Sequence, residues 1–485
     1  MNIILFQNKV AKLFVSHSFF AIFNFSLIFF SYSFLKSADF GYLAGLFILE
    51  GILIFFDLTI YNYIINKLSK LDKNYTKQNL IYFFFKKILI FSIFFLLFNL
   101  VFIKFFYWDK IVISEIYIFN YINLSTFLSL IIALIVIFRI LINYLKVVFI
   151  GLFKHELFAN IQIASSIIKI LILFFFLVIS KTVESVLFSY FFGLVVEFIL
   201  FFSFLTKIIK FKNKININSP RFPKSLIFFA ISIIVFFNVD RVFLSYNSIL
   251  SEIGQYNFYK VILSGFFILS MSYYYSLLPD ISKFYNNSKI IRNKIYINFK
   301  SLNIILIFLI LAIFLFTEII IKDFKISDFI EIDKIVIFKI LAIQTYFVII
   351  GIILYSFQVS LSFIKIPTLI NFFLFILSVP LFFIFNKPEN ATNIAVIYLF
   401  LNVGWFFLNL FFLNKYFSKI FSMGLIIIFF KNFLKNFLTI LIFMLISYFI
   451  IYDFSNLLFY LTLLFCFLYC LKVSQEILNK KKRHD

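Results

Sequence analysis

Reactive side chains are scarce in this sequence. Two cysteines occur in 485 residues, Cys466 and Cys470. They lie four apart in one apolar run, which gives neither a disulfide framework nor a zinc-binding spacing, so both read as helix residues. His17 and His155 stand alone, one in an apolar stretch and one in a basic turn, and both read as structural. No glycine-rich phosphate loop occurs among the 10 glycines, which argues against an ATP-driven pump. Nothing resembles a Ser/His/Asp set, a Cys/His metal spacing or a pair of carboxylates in one loop. The sequence therefore predicts no enzyme, no metal site and no bound cofactor.

Charge is scarce as well, at 13% of residues against 64% hydrophobic, with a mean hydropathy of +1.08. A soluble core of this size would need far more polar surface to cover it. The 83 phenylalanines read mostly as lipid-facing filler. Net charge is +23, but the cations cluster between apolar runs, where they set topology rather than bind nucleic acid.

Crossing about 30 Å of hydrocarbon takes roughly 20 apolar residues. Runs of that kind predict an all-α polytopic membrane protein with about 14 transmembrane helices, near 13–35, 41–66, 80–103, 117–149, 157–180, 184–206, 224–246, 255–278, 299–321, 336–360, 367–386, 392–413, 425–450 and 455–471. The segment after Lys12 is long enough to span and lacks a small-residue cleavage site, so it reads as the first span rather than a signal peptide. With the N-terminus inside, 30 of the 44 Lys and Arg fall in inside segments and only 8 outside. That asymmetry predicts cytoplasmic termini.

Six cations remain within the spans: Arg139, Lys146, Lys169, Arg241, Lys260 and Lys339. Lys146 and Lys339 lie near span ends and are expected to snorkel to the interface. Lys260 lies closer to the outer end of its span. Arg139, Lys169 and Arg241 are deeper, and such residues face protein or a water-filled cavity. A cavity lined by them would suit an anionic headgroup, the guanidinium fork gripping phosphate and the lysines acting as point charges. The intramembrane acids are Glu50, Asp57, Glu197 and Asp240. They would either pair with the cations in charge compensation or bind H+ or Na+ in coupling. Asp240 and Arg241 point about 100° apart on a helix, so Asp240 is expected to pair elsewhere.

One stretch carries a family pattern. It reads Asp240-Arg241, then Gly254-Gln255-Tyr256, then Pro279-Asp280-Ile281-Ser282. An echo lies 213 residues earlier, where Asp39 to Leu71 aligns without gaps on Glu252 to Phe284, and another pairs Lys154 with Lys365 and Asn160 with Asn371. Parallel repeats of this kind place a transport site between two halves. Together with the Gly151-Leu152-Phe153-Lys154 turn, the pattern resembles the polysaccharide (O-antigen or capsule) flippases of Wzx type, in the multidrug/oligosaccharidyl-lipid/polysaccharide exporter superfamily. Thr59 stands where that family usually has glycine.

The resemblance implies two six-helix lobes in parallel pseudo-repeat, at 1–206 and 224–414. They would be joined by a basic cytoplasmic linker at 207–223 and followed by two further helices and a basic tail at 415–485. It also implies a flippase in the bacterial cytoplasmic membrane, carrying polyprenyl-diphosphate-linked oligosaccharide between leaflets by alternating access. Arg139, Lys169, Arg241 and Lys260 would contact that substrate, among membrane lipids and beside polysaccharide polymerase machinery. A drug or metabolite exporter shares the architecture but would favour an acidic cavity. A membrane polysaccharide polymerase would need a larger outer loop than the roughly fifteen residues found here.

Overall fold

The computed structural model describes residues 3–34, 61–71, 74–105, 122–208, 224–247, 256–260, 262–263, 265–283, 299–314, 335–361, 363–385, 391–416 and 438. Every regular element among them is an α-helix. In chain order the long ones are α1 (Ile3–Phe34), α2 (Asn74–Phe105), α3 (Ile122–Gly151), α4 (His155–Ile179) and α5 (Val183–Ile208). There follow α6 (Lys224–Asn247), α7 (Phe267–Lys283), α8 (Ile335–Ser360), α9 (Lys365–Phe385) and α10 (Ala391–Tyr416). Six helices among the described residues are long and apolar enough to cross a membrane: Leu130–Gly151, His155–Ile179, Val183–Ile208, Ile335–Ser360, Lys365–Ile384 and Ala391–Leu413. The chain is a multi-pass membrane protein.

The polarity of these helices is inverted relative to a soluble bundle, and that inversion identifies the solvent. On α4 the inward stripe is Gln162, Ser165, Ser166 and Lys169, all buried, while Leu171, Phe175 and Val178 are 63%, 63% and 82% exposed on the outside. Positions three and four apart share a helix face, so the polar stripe meets its neighbours and the apolar one meets hydrocarbon. The outer faces of α5 and α9 repeat the pattern, with Phe192 and Ile199 exposed on one and Leu369, Phe373 and Ile376 on the other. In water such patches would drive association.

The chain forms two compact units, residues 12–258 and residues 259–485 together with 1–11. Within the first, α5 packs against both α3 and α4, and α2 packs against α3. Within the second, α10 packs against both α8 and α9, and α7 packs against α8. One corner between consecutive spans in each unit carries the same five-residue return hydrogen bond. At the end of α3, the Lys154 N–H donates to Phe149 O at 2.9 Å and the Phe153 N–H to Ile150 O at 3.0 Å. This is a Schellman closure, which requires a left-handed residue where glycine is usual. Here it is Phe153, at φ 59. At the end of α8, the Phe363 N–H reaches back five residues to Gln358 O at 2.8 Å. The helices that follow open alike, Phe158 donating to Lys154 O and Thr368 to Ile364 O.

Several boundaries differ from the sequence reading, and two of them have a visible cause. The first helix begins at Ile3, ten residues before the apolar run, because Gln7, Asn8 and Lys9 are helix-compatible residues that water accepts. The eighth run is interrupted rather than continuous. At Gly265 and Phe266 the backbone turns, with N–H groups donating to Ile262 O and Leu263 O at 3.1 and 3.0 Å, and α7 starts only at Phe267. Glycine weakens a helix interior, and the three-residue bonds mark the place where the α pattern lapses.

Candidate functional site

The first unit is built around buried charge. Arg139 and Lys146 lie seven apart on α3, two helical turns, and so share one face. Lys169 projects from α4 and Glu197 from α5. Glu197 uses both carboxylate oxygens: Lys146 Nζ lies 2.7 Å from Oε1, and Lys169 Nζ donates to Oε2 at 2.5 Å. Arg139 is close enough to act on the same carboxylate electrostatically. Lys169 and Glu197 are fully buried, and Arg139 is 8% exposed.

One aromatic ring organises the three cations. Phe20 of α1 lies 4.9 Å from the Arg139 guanidinium, 5.0 Å from Lys146 Nζ and 5.1 Å from Lys169 Nζ. Phe23, one helical turn on, lies 4.8 Å from Lys169 Nζ, and Phe201 lies 5.7 Å from Lys146 Nζ. The ring quadrupole holds a cation without neutralising it. Space for Lys169 comes from Gly193, one turn before Glu197 on α5. A Cβ at Gly193 would meet Lys169 Cγ at 2.7 Å, so any side chain there would push the lysine stem off the α5 surface.

Lys146 corrects one expectation. It does not snorkel to the interface: its side chain is only 13% exposed and is held by Glu197 and two rings. Its distance from the span end was the misleading cue, and its seven-residue spacing from Arg139 was the informative one. Of the other sequence candidates, Asp240 is fully buried on α6 and accepts a hydrogen bond from Tyr256 at 2.6 Å. This joins the Asp-Arg and Gly-x-Tyr elements of the pattern and gives Asp240 a partner away from Arg241. Arg241 is helical, but its side chain lies outside the described residues, as do Glu50 and Asp57 altogether. Lys260 belongs to the second unit, half-buried with Nζ 4.6 Å above the Tyr398 ring. Among the described residues no three His, Cys, Asp or Glu converge as metal ligands.

A hydrogen bond to a charged acceptor contributes about 1.5–3 kcal/mol. Tyr256→Phe is therefore expected to lower stability by about that amount, read as a fall in the detergent-solubilised unfolding midpoint. An unchanged midpoint would mean that another donor takes over the Asp240 carboxylate.

Among the described residues of the second unit, amide side chains link the helices. Gln358 Nε2 donates to Asn409 Oδ1 at 3.0 Å, the Trp405 indole to Asn371 Oδ1 at 2.9 Å, and Tyr346 to Asn303 Oδ1 at 2.6 Å. Asn402 and Asn409 bond back to Tyr398 O and Trp405 O on their own helix. Trp405 enters because Gly351 leaves room; a Cβ there would lie 2.2 Å from the indole.

No family model and no curated protein matches the chain. Solved structures do. An outward-facing multidrug resistance MATE family transporter of the MOP superfamily aligns at TM-score 0.64 and 12% identity, over 90% of this chain and 95% of that one. The lipid II flippase MurJ, in an inward closed conformation, aligns at TM-score 0.64 and 17% identity, over 99% of both chains. The MATE multidrug transporter DinF-BH aligns at TM-score 0.64 and 14% identity, over 86% of this chain and 96% of that one.

Proposed function

We infer a transporter from the fold, which the chain shares with solved MOP-superfamily transporters, and those neighbours are named as exporters and flippases rather than enzymes. From that premise we propose that it is a flippase for polyprenyl-diphosphate-linked oligosaccharide. It sits in the bacterial cytoplasmic membrane with both termini inside and works for surface-polysaccharide synthesis. The observation that carries the reading is the convergence of Arg139, Lys146 and Lys169 on one ring inside the membrane. Buried cations are expensive in hydrocarbon and mark the path of what they bind. A drug-exporting relative would favour acids facing a cationic substrate, whereas this set suits phosphoryl oxygens.

The layout we infer is two six-span lobes, 1–206 and 224–414, with 207–223 as linker and two further spans in 415–485. The parallel repeat draws support from matched packing, α5 on α3 and α4 against α10 on α8 and α9. It draws more from the matched corner hydrogen bonds at Lys154 and Phe363. Substrate contacts are assigned to Arg139 and Lys169, with Arg241 and Lys260 completing the set. Glu197 and Asp240, with Glu50 and Asp57, balance the charge or take up H+ or Na+.

Deletion is expected to abolish surface polysaccharide while single lipid-linked repeat units accumulate on the inner leaflet. Complementation with Arg241→Ala should restore little export at normal protein abundance, and Arg241→Lys only part of it, because lysine keeps the charge without the planar fork. Lengthening of the lipid-linked glycan by the purified protein would make the chain a polymerase and refute the reading.

A further inference from the structure

We propose that Glu197 is a resident anion, holding Lys146 and Lys169 in the arrangement that an incoming phosphoryl group takes over. The inference rests on the flippase reading above and gives it a molecular step.

Four observations carry it. The carboxylate spans two ammonium groups from different helices, one on each oxygen, at 2.7 and 2.5 Å. A phosphoryl edge presents two anionic oxygens in the same manner, and lysine ammoniums, as rotatable point charges, re-aim with little rearrangement. The cluster also has a direction. Glu197 and Lys169 are sealed at 0% exposure, while the Lys146 side chain keeps 13% and Phe20 beside it is half-buried. The approach is therefore from the Lys146 and Phe20 side, with the carboxylate behind. Phe20 lies about equally far from all three cations, so it can hold them in place while one anion leaves and another arrives. Gly193, finally, leaves the room in which the Lys169 stem lies against α5 on its way to the carboxylate.

The physical need is symmetrical. A carrier with buried cations must be neutralised when loaded, and again when it returns empty. Removing one partner of a buried pair is strongly unfavourable, whereas replacing one anion by another is not. Glu197 supplies the charge of the empty state, bridging α3 and α4 to α5. Substrate supplies it in the loaded state, the displaced Glu197 carboxylate taking up a proton so that no bare anion is left buried, and α5 is freed from that bridge. The exchange converts occupancy into a change in which helices are tied together.

The test uses the full-length protein in lipid nanodiscs, with undecaprenyl diphosphate as probe and uncharged undecaprenol as control. Glu197→Gln removes the competing anion and keeps the shape. It is expected to bind the diphosphate at least about tenfold more tightly than wild type while reconstituted transport slows, because the empty carrier no longer resets. Glu197→Asp, too short to reach both lysines, should fall between. Lys146→Met with Lys169→Met and Glu197→Leu removes the three ion-paired charges together, keeps Arg139, and should bind diphosphate at least about tenfold more weakly than wild type. Wild-type affinity in Glu197→Gln, or undiminished diphosphate binding in the neutral triple variant, would overturn the resident-anion role and leave the flippase reading standing. Failure of the wild type to distinguish diphosphate from undecaprenol would bring down both.

Discussion

Glu197→Ala will destabilise the protein by about 3–5 kcal/mol, the largest single-residue effect expected in the first unit. The carboxylate sits at 0% exposure between two lysines, and its loss strands both ammonium groups, Lys169 fully buried and Lys146 only 13% exposed. Desolvation of each ion then has no compensating attraction, and Arg139 nearby adds repulsion. Thermal unfolding in a mild detergent should show a fall on the order of 10 °C. The neutral triple variant, Lys146→Met, Lys169→Met and Glu197→Leu, should unfold near the wild-type temperature, since apolar groups of similar volume often replace a buried ionic cluster without loss. An unfolding temperature unchanged in Glu197→Ala would mean that water enters the cluster.

In the second unit the corresponding sensitive point carries no charge. Gly351→Ala places a methyl group 2.2 Å from the Trp405 ring, far inside contact distance. The indole has nowhere to go. It is 3% exposed, and its N–H is engaged with Asn371 at 2.9 Å. Helix α8 must move away from α10, or the indole must abandon its hydrogen bond. The expected loss is about 3 kcal/mol, at the upper end for overpacking. Trp405→Leu alone will also destabilise, through a cavity and the lost donor. The two together should be less harmful than their sum by at least about 1 kcal/mol, which a double-mutant cycle on unfolding midpoints would show. Strict additivity would mean that the close approach between Gly351 and Trp405 is not what constrains α8.

The helices were legible in the sequence where the requirement is local. Twenty apolar residues satisfy hydrocarbon wherever they stand, so runs at 157–180 and 336–360 appear as His155–Ile179 and Ile335–Ser360. The start of α1 was not legible, because Gln7, Asn8, Lys9 and Lys12 interrupt the apolar pattern there while the helix runs on through them. The site was half legible. Arg139, Lys169 and Glu197 stood out as charges in hydrocarbon, but their meeting depends on which faces of α3, α4 and α5 turn toward one another, and a linear pattern does not encode that. Lys146 was misassigned for the same reason: depth along a helix is readable, the neighbour across it is not. Asp240 and Tyr256, sixteen residues apart, were both visible in the motif, yet only the folded chain reveals that one holds the other.

The inverted polarity of α4, α5 and α9 also governs how such a chain can change. A side chain facing lipid has one duty, to be soluble in oil, and Phe, Ile, Leu and Val all discharge it. Exchange among them is close to neutral, so the outer faces are free to drift with whatever base composition a genome favours. Inward positions answer to geometry: a glycine under a lysine stem, a carboxylate between two ammoniums, an indole in a slot. Letters are thus erased fastest where they are most numerous, while the shape they enclose persists. A chain of this kind can keep its fold along 99% of its length while sharing 17% of its residues with a neighbour, and the likeness stays in the shape long after it has faded from the text.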